Sequence, residues 1–529
     1  MLVLCLFGCA PERIAGSGTG EETTNGRVTG IVTDSMKLPV KGVEVRLTPQ
    51  EYDPVRDTAP PPKQLTDSAG RYTFIGIDSG TYLVRSMASD QGLGAVAPRF
   101  SVRGDTVRPD VMQLEKTGSI RVRLPSDAAK AGGYVYIKGI GIYAYIVSGA
   151  AWVQLDSVPP GRMSSVVWAA SKTAQPKVIR YDVPVAPAQI AGVDKPDWRY
   201  AHVLRLNTAS SGADVAGTVV NFPVLVRLTG EIFNFDQAQS SGEDIRFTSK
   251  DSLPLVYEIE RWDAANKLAE IWVKTDTIRG GDSIQTVCMY WGNPQAASQS
   301  SPQQVFDTAA GFSGVWHLGL PAGTVAADAT FYADNGTATA TVTISGPIGM
   351  ARMFNGSSSM VRVTGPSLGK LNFDENSAFS VYAWVQTNAL DSMFHSIVCK
   401  SNLQYGLQMR PKNKWEFCTF SDQTRWEMTR GDASDNRWHL LVGVRSGARQ
   451  YLYVDGVCAD SSIATSASTL SRAMDQPLDI GHCPDGGTDP DRFFNGSIDE
   501  VRIAKTAYGA DWIRLCYMNQ RENDALVKW

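Results

Sequence analysis

The sequence predicts an all-β protein made of several sandwich domains. Short runs of alternating apolar and polar residues, separated by turn residues, recur along nearly the whole chain, and this period-2 pattern is typical of half-buried strands. No long segment repeats apolar residues at the spacing of an amphipathic helix. With 529 residues and roughly 100–200 residues per domain, the chain has room for about three to five domains.

Charge and hydropathy exclude two classes of partner. The 50 basic and 54 acidic side chains leave a net charge of −4, so no strong positive field attracts nucleic acid or anionic lipid. No run of 18 apolar residues occurs, and this predicts that the chain has no transmembrane helix.

The first residues resemble a bacterial lipoprotein signal. An apolar run, Leu2–Phe7, is followed by Gly8 and Cys9, and Leu6-Phe7-Gly8-Cys9 resembles the box in which the cysteine is acylated. The run lacks a preceding Lys or Arg and is shorter than the usual core of about 7–15 residues. The resemblance implies a signal peptide at 1–8, lipidation of Cys9 and a location in the cell envelope, at the outer membrane or cell surface. The alternative is an incidental cysteine.

Residues 9–26, rich in Gly, Ser, Thr and Glu, predict a flexible tether. Beyond it, six cysteines remain, an even number that permits disulfides in an exported chain. Cys458 and Cys483 each follow a predicted strand, and we predict that they form a disulfide. No C-x-x-C spacing occurs, which argues against a thiolate zinc site.

Two small β-sandwiches are predicted at 27–115 and 116–190. The first contains G-x-V-T-D, P-V-x-G-V-x-V, T-D-x-x-G-x-Y-x-F and G-x-Y in that order. This set resembles the carboxypeptidase regulatory-like domain, which implies a prealbumin-like sandwich without catalytic residues. The second, more diverged, is predicted to be a similar module.

Residues 196–310 form a third predicted unit of alternating strands. Its pieces, such as Tyr257–Trp262, Ala269–Lys274 and Met289–Asn293, resemble the bacterial domain of unknown function 2341. That family commonly precedes a laminin-G-like jelly roll and brings no known activity. Val315-Trp316-His317-Leu318 marks the junction.

The last 219 residues, 311–529, resemble a laminin-G-like, concanavalin A-like jelly roll. The stretch Phe493–Ile503 is similar to the closing strand of that family, whose signature is roughly F-x-G-x-I-D-E-V-R-I. Strict alternation predicts that Asp499 shares one face with Val501 and Ile503, while Glu500 lies on the other. A short closing helix is predicted at 510–514.

No catalytic residue is predicted. Glucanase-type jelly rolls typically carry E-x-D-x-E on one strand, and this chain has no such pattern. Glu258 and Glu260 alternate on one face, which we interpret as solvated. His317 and His439 match framework strings of the resembled families, so we interpret them as packing residues.

One calcium site is predicted from oxygen-bearing side chains. Jelly rolls of this type often hold Ca²⁺ between a loop and the Ile-Asp-Glu strand, which here implies Asp328, Asp334, Asn335 and Asp499 as ligands. The alternative is that Asp499 accepts hydrogen bonds from backbone amides or an arginine.

Three aromatic residues are candidates for sugar binding: Tyr405, Trp415 and Trp426. Trp415 and Phe417 share a strand face that the alternation favours as core, whereas Trp426 has polar neighbours in sequence.

The sequence therefore indicates a non-catalytic, lipid-anchored surface protein whose jelly roll binds a glycan or a protein partner. This functional part depends on fold analogy. Two alternatives stay open: a glycan hydrolase or lyase whose site is assembled from distant loops, and a structural envelope protein.

Overall fold

Nearly all regular structure in the protein is β-sheet. The computed structural model describes residues 26–529 except 251, 320–323, 366–367, 374–376, 388, 390–392, 401–403, 422–423, 431–434, 464–475 and 485–491, and excludes the side chains of 420–434. Strands make up about 51% of the chain and helices 7%, which confirms the all-β class. Cys9 lies outside the described residues. No described helix is long and apolar enough to cross a bilayer.

The chain divides into two compact units, of which the first ends at Pro196. This unit begins with a two-sheet sandwich whose core includes Val28, Val45 and Val84. In spatial order, one sheet contains Arg71–Ile77, Gly26–Thr33 and Thr106–Val107, with Met112–Gln113 also paired to Gly26–Thr33. The other contains Glu115–Lys116, Leu93–Val96, Gly80–Ala88, Glu44–Pro49 and Lys63–Leu65, with Phe100–Val102 paired to Gly80–Ala88. A 3₁₀ turn spans Ser89–Gln91.

A second sandwich completes this unit around Ile120, Val135 and Val166. One of its sheets contains, in order, Trp152–Val158, Gly118–Arg123 and Ile190–Val193. The other contains, in order, Ile142–Tyr145, Tyr134–Ile137, Gly161–Ala169 and Lys177–Val185. A helix spans Ser126–Ala131. The hydroxyl of Tyr134 donates to Asp53 over 2.8 Å. This buried bond links the two sandwiches within the unit.

The second unit, Asp197–Trp529, begins with two antiparallel sheets. One contains Pro254–Leu255, Arg246–Ser249, Gln285–Trp291, Tyr200–Leu206 and Val527–Lys528; the other contains Val219–Thr229, Leu268–Ile278 and Tyr257–Asp263. A 3₁₀ turn spans Phe235–Gln237 and a short helix spans Pro302–Val305. The Tyr257–Asp263 strand lies at an edge of its sheet, so it is available to pack against the rest of the unit.

Two eight-stranded sheets follow within the described residues, here named the middle sheet and the far sheet. The middle sheet contains Val342–Ser345, Met350–Asn355, Asn495–Ala504, Ala378–Gln386, His439–Ser446, Arg449–Val454 and Val457–Ile463, with Phe312–Trp316 also paired to Asn495–Ala504. The far sheet contains Val325–Ala326, Gly336–Thr339, Met360–Val363, Leu478–Ile480, His395–Lys400, Tyr405–Arg410, Lys414–Ser421 and Thr424–Arg430. A 3₁₀ turn spans Leu368–Leu371.

The middle sheet is buried on both faces. On its Ala378–Gln386 strand, Phe379 and Val381 pack into the core shared with the far sheet. Tyr382 and Trp384 point the other way, into the core shared with residues 204–315. The alternation in this strand therefore fills two cores, and the middle sheet is shared between them, so the sheets of the Asp197–Trp529 unit are not two separately packed domains.

The end of the chain returns to the start of this unit. The predicted closing helix is confirmed and is longer than expected, Ala510–Gln520. Asn519 on this helix is fully buried; it accepts from the Leu225 amide over 2.7 Å and donates to the Leu225 carbonyl over 3.0 Å. Val527–Lys528 then pairs with Tyr200–Leu206, so residues from both predicted domains complete one core.

The predicted Cys458–Cys483 disulfide is wrong. Cys483 pairs with Cys399, with 5.4 Å between the two Cα atoms, and Cys458 is an exposed free thiol. Cys399 belongs to a strand hydrogen-bonded to Leu478–Ile480 in the far sheet. Cys458 lies on the edge strand of the middle sheet, so it belongs to the other layer.

Peptide mapping without reductant should therefore link Cys399 to Cys483 and find Cys458 alkylated. Because the bridge spans 84 residues, the Cys399→Ser/Cys483→Ser protein should lose about 3–4 kcal/mol of unfolding free energy, mainly through a less restricted unfolded chain. A Cys458→Ser protein is the control and should keep its stability. A disulfide containing Cys458 would contradict this assignment.

His439 is buried and lies between two carboxylate groups. Its Nδ1 lies 2.8 Å from Asp455 Oδ2 and its Nε2 lies 2.9 Å from Asp435 Oδ1. Burial lowers the pKa of His439, but these hydrogen bonds outweigh it and raise the pKa above 6.5. Burial raises the pKa of Asp435, but bonds from His439 and Arg437 hold that pKa at about 2, so Asp435 stays ionised near neutral pH.

The contacts of His439 with these two carboxylates predict a substitution whose effect on stability depends on pH. Because the folded pKa of His439 exceeds the unfolded value, its stabilisation is complete below about pH 6.5 and is lost as pH rises through the folded pKa. His439→Gln should lower the unfolding free energy by about 1 kcal/mol at about pH 5.5 and by less at about pH 9. Urea unfolding at both pH values measures this, and an equal loss at both would contradict it.

Candidate functional site

A buried cluster of charged side chains lies where the Tyr257–Asp263 strand meets the middle sheet. We name it the junction cluster: Glu258, Glu260, His317, Glu500 and Arg502. Glu258 is 7% exposed, Glu500 1% and Arg502 2%, and the side chain of Glu260 is 7% exposed. The interpretation of Glu258 and Glu260 as a solvated face is therefore wrong, because the middle sheet packs over that face.

β-Bulges lie at two of the three glutamates of the junction cluster, Glu260 and Glu500. Ile259 pairs with Ile271 and Arg261 with Glu270, which leaves Glu260 as the extra residue. On the Asn495–Ala504 strand a register shift lies opposite Tyr382–Trp384, and Glu500 there has a left-handed φ of 51°. Bulges turn a side chain out of the strand alternation and are frequent beside functional sites.

The bulge at Glu500 also overturns the predicted faces of this strand. Ile498, Val501 and Ile503 together enter the core of the jelly roll, although strict alternation places Ile498 opposite the other two. Asp499 pairs with Trp384, whose side chain belongs to the other core. Asp499 is therefore not on the face of Val501, because the inserted residue reverses the phase of the strand.

His317 is at the centre of the junction cluster. Its Nδ1 bonds Glu500 Oε1 and lies 3.5 Å from Glu260 Oε2, and its Nε2 lies 3.3 Å from Glu258 Oε2. The imidazole also packs against the rings of Trp272 and Phe306, at centroid distances of 6.2 and 5.3 Å. The predicted packing role of His317 thus describes only part of its environment.

Hydrogen bonds from a second set of groups fix the carboxylates. Trp272 Nε1 donates to Glu260 Oε2 over 2.7 Å. Arg502 Nε donates to Glu500 Oε2 over 3.0 Å, and its guanidinium lies 4.3 Å from the centre of the Trp272 ring. The orientation of both carboxylates is therefore set by buried donors.

Burial and neighbouring charge shift the pKa values in opposite directions. Burial raises the pKa of Glu260 to about 8, against the attraction of His317. Burial would lower the pKa of His317, but the three glutamates raise it well above 6.5. Burial would raise the pKa of Glu500, but His317 and Arg502 lower it. These directions favour an ionised Glu500 beside a protonated His317, and a Glu260 that binds a proton more readily than a free carboxyl group.

A cavity of about 710 Å³ opens beside the junction cluster. Five consecutive or nearly consecutive residues of one strand line it: Glu258, Glu260, Arg261, Trp262 and Asp263. His317 and Asp328 line it from the stretch that follows the Phe312–Trp316 strand. The remaining wall is mostly small or apolar: Ala264, Ala265, Pro302, Leu318, Gly319, Ala326, Ala327, Ala329 and Met350. Glu500 and Arg502 are not among the lining residues, so a ligand there meets only part of the cluster.

The predicted calcium ligands are engaged in different ways. Asp328 accepts from the amides of Val315, Thr330 and Asp334, and Asn335 accepts from the Asp328 amide. Asp499 accepts from the Ile348 amide over 3.2 Å. Within the described part of the chain, the one group of three His, Cys, Asp or Glu ligand atoms within 4.8 Å of one another is Glu260, His317 and Glu500. Calcium binding at the predicted set stays a prediction.

The predicted sugar-binding aromatics are not available to a ligand where the structure describes them. Tyr405 and Trp415 are fully buried in the jelly-roll core, and the Tyr405 hydroxyl donates to the Leu371 carbonyl. Their strand alternation places them inward, which corrects this prediction. The side chain of Trp426 lies outside the described residues.

Comparison with protein families agrees with two of the sequence resemblances. Residues 241–318 match the model of the domain of unknown function DUF2341. Residues 355–514 match Laminin_G_3, the concanavalin A-like lectin/glucanases superfamily. A search of curated proteins found no match.

Solved structures resemble the chain only weakly. The binding domain of botulinum neurotoxin serotype C1 has a TM-score of 0.31 and 15% identity over 39% of this chain and 51% of that one. The binding domain of botulinum neurotoxin serotype D has a TM-score of 0.33 and 13% identity, over 40% of this chain and 51% of that one. Domain 4 of AbnA, a GH43 extracellular arabinanase from Geobacillus stearothermophilus, was solved in complex with arabinotriose. It has a TM-score of 0.26 and 19% identity, over 33% of this chain and 80% of that one.

This chain spans about half the length of the toxin domains, and likenesses of this degree say nothing about what it binds. Both family matches lie within its second unit. The protein thus carries a DUF2341 domain that is followed by, and packed into one core with, a C-terminal laminin-G-like, concanavalin A-like domain.

Proposed function

We propose that residues 197–529 form a non-catalytic carbohydrate-binding module whose ligand occupies the cavity beside the junction cluster. The observation that carries the proposal is that cavity itself. Its volume of about 710 Å³ falls in the range of about 300–1,000 Å³ that small-molecule sites occupy. The concanavalin A-like family of the jelly roll supports the same ligand class by fold analogy.

The lining supplies groups of the kind that sugars need. Glu258 and Glu260 offer carboxylate oxygens to hydroxyl groups, and Trp262 offers an aromatic surface. Both glutamates project from one strand, on one wall of the cavity. A polar edge beside an apolar surface suits a sugar, which has hydroxyl groups at its rim and C–H groups on its faces.

One observation favours a glycan hydrolase as the second candidate. Ligand oxygens of Glu260 and Glu500 lie within 4.8 Å of each other, and their pKa values are shifted in opposite directions, as in an acid and nucleophile pair. However, Glu500 is 1% exposed and is not part of the cavity lining. Of this pair of glutamates, only Glu260 would therefore face a scissile bond in the cavity, and for this reason we favour binding without hydrolysis.

A glycan array with the full chain, followed by calorimetry on the best ligand, tests the proposal. Ala327 is exposed and lines the cavity, so Ala327→Trp should fill part of it with little effect on stability. We expect this variant and Trp262→Ala each to weaken binding by at least about tenfold, as the loss of one good contact does. Phe331, an aromatic that is 76% exposed and outside the lining, gives the matched control Phe331→Ala, which should bind normally.

Four results would overturn the proposal. Undiminished binding by Ala327→Trp would place the ligand elsewhere. Release of free sugar from a bound polysaccharide would make the protein an enzyme. Binding of a protein and no glycan would favour the alternative of a protein receptor, and no ligand at all would favour a structural role.

We also propose that Cys9 anchors the chain to the bacterial envelope. The support is the tetrapeptide Leu6–Cys9. Labelling with a palmitate analogue in a bacterial host should modify the natural chain and not Cys9→Ser, and membrane fractionation should separate the two. Equal labelling of both proteins would contradict the anchor.

A further inference from the structure

Three side chains of the junction cluster form a donor set for a metal ion. Glu260, His317 and Glu500 come from, or directly follow, three different strands. One ligand atom from each lies within 4.8 Å of the others. The set combines one imidazole nitrogen with two carboxylate oxygens, donors that suit Zn²⁺ and its first-row neighbours better than the all-oxygen shell of Ca²⁺.

Each donor also has the outer partner that metal ligands usually have. The second nitrogen of His317 lies 3.3 Å from Glu258 Oε2, as in carboxylate–histidine–metal triads. The second contacts of the carboxylates are the Trp272 indole on Glu260 and Arg502 on Glu500. These partners come from outside the donor set and hold all three donors in fixed orientations.

A further buried carboxyl group beside the set has an oxygen without a partner. Asp499 is 0% exposed, and within the described residues its Oδ1 has no hydrogen-bond partner. Asp499 directly precedes Glu500 in the chain. Its unpartnered buried oxygen is therefore a second observation at the same place, separate from the donor geometry.

We propose that Glu260, His317 and Glu500 bind one divalent transition-metal ion, with Zn²⁺ as the best fit. Because Glu260 and His317 also line the cavity of about 710 Å³, the ion faces that cavity and keeps a position for water or a ligand. Its binding joins the Tyr257–Asp263 strand, which supplies Glu260, to two strands of the middle sheet, of which one contains Glu500 and the other directly precedes His317. This inference holds whether or not a sugar binds in the cavity.

Zinc titration of the chelator-treated full chain tests the site without any sugar. The Cys458→Ser background removes an exposed thiol that could bind zinc by itself. Calorimetry should show one Zn²⁺ per chain with a dissociation constant in the micromolar range or tighter, and zinc should raise the melting temperature. Glu260→Gln and His317→Gln should abolish this binding.

Glu258→Gln keeps all three donors and changes only the partner of His317, so it should weaken zinc binding by about 10–100-fold. The matched control is His439→Gln, which removes a histidine that also lies between two carboxylates but outside the donor set. Its zinc affinity should equal that of the Cys458→Ser parent. Circular dichroism checks that each variant is folded. If Glu260→Gln or His317→Gln does not fold, the zinc affinity of Glu258→Gln tests the proposal.

Cobalt gives a second readout. Co²⁺ bound to one nitrogen and two oxygens should give visible absorption bands, without a thiolate charge-transfer band, and these should disappear in His317→Gln. No saturable zinc uptake by the parent protein, or equal uptake by the parent and by Glu258→Gln and Glu260→Gln, would overturn the proposal.

Discussion

Residues 311–529 expressed without residues 197–310 should not give a stable, monomeric domain. Residues of the fragment contribute to the core shared with residues 204–310. The rings of Phe312 and Trp512 pack against those of Phe306 and Phe222, and Asn519 is hydrogen-bonded to the Leu225 backbone. At about 1.5–3 kcal/mol for each buried apolar side chain and about 1–3 kcal/mol for a buried polar group without its partner, the loss of these contacts removes on the order of 5 kcal/mol or more. A typical domain has only about 5–15 kcal/mol in total.

The fragment should therefore aggregate on size exclusion, bind a hydrophobic dye and unfold without a sharp transition. The control is the 197–529 fragment, which contains the complete compact unit and should unfold cooperatively. A monomeric 311–529 fragment with the melting temperature of the control would contradict the shared core.

The second large effect is expected at the buried ion pair of Arg502 and Glu500. Arg502 is 2% exposed, donates to Glu500 over 3.0 Å through Nε and lies over the ring of Trp272. Arg502→Met should lower the unfolding free energy by about 3–5 kcal/mol, because it removes one of the two cationic partners of the buried Glu500 carboxylate and leaves its Oε2 without the arginine. Urea unfolding of the 197–529 fragment in the presence of a chelator measures this loss without any contribution from bound metal.

Two further proteins separate the charge effect from the loss of packing. Glu500→Gln/Arg502→Met removes both charges and should recover most of the lost stability. Arg279 pairs with Asp282 at the surface with its side chain 62% exposed, so Arg279→Met should cost less than about 1 kcal/mol. A loss in Arg502→Met no larger than that in Arg279→Met would show that the buried pair contributes little.

The candidate site left few signals in the sequence. The spacing of Glu258 and Glu260 shows that both side chains lie on one face, and this much was correct. It does not show what covers that face, because a period-2 pattern with acids outward is the same whether water or another sheet lies there. His317, Glu500 and Arg502 are far from Glu258 in the chain, and only the fold brings them together.

The two bulges show the limit of strand alternation most directly. The stretch from Ser497 to Ile503 is a strand both in the sequence prediction and in the structure. However, one inserted residue at Glu500 moves Val501 and Ile503 onto the face of Ile498. The disulfide shows a related limit. Cys399 and Cys458 both lie on strands, so the local sequence does not distinguish them as partners of Cys483. Cys399 is the partner because its strand is the neighbour of Leu478–Ile480 in space.

By itself, the sequence determined the all-β class, the DUF2341 and laminin-G-like domains and the closing helix at Ala510, because local alternation, turn residues and family motifs are written along the chain. Only the tertiary structure decided the sharing of one core by these two domains, the pairing of Cys399 with Cys483 and the assembly of Glu258, Glu260, His317, Glu500 and Arg502. These depend on which distant surfaces exclude water together, and that contact between separate segments has no local pattern.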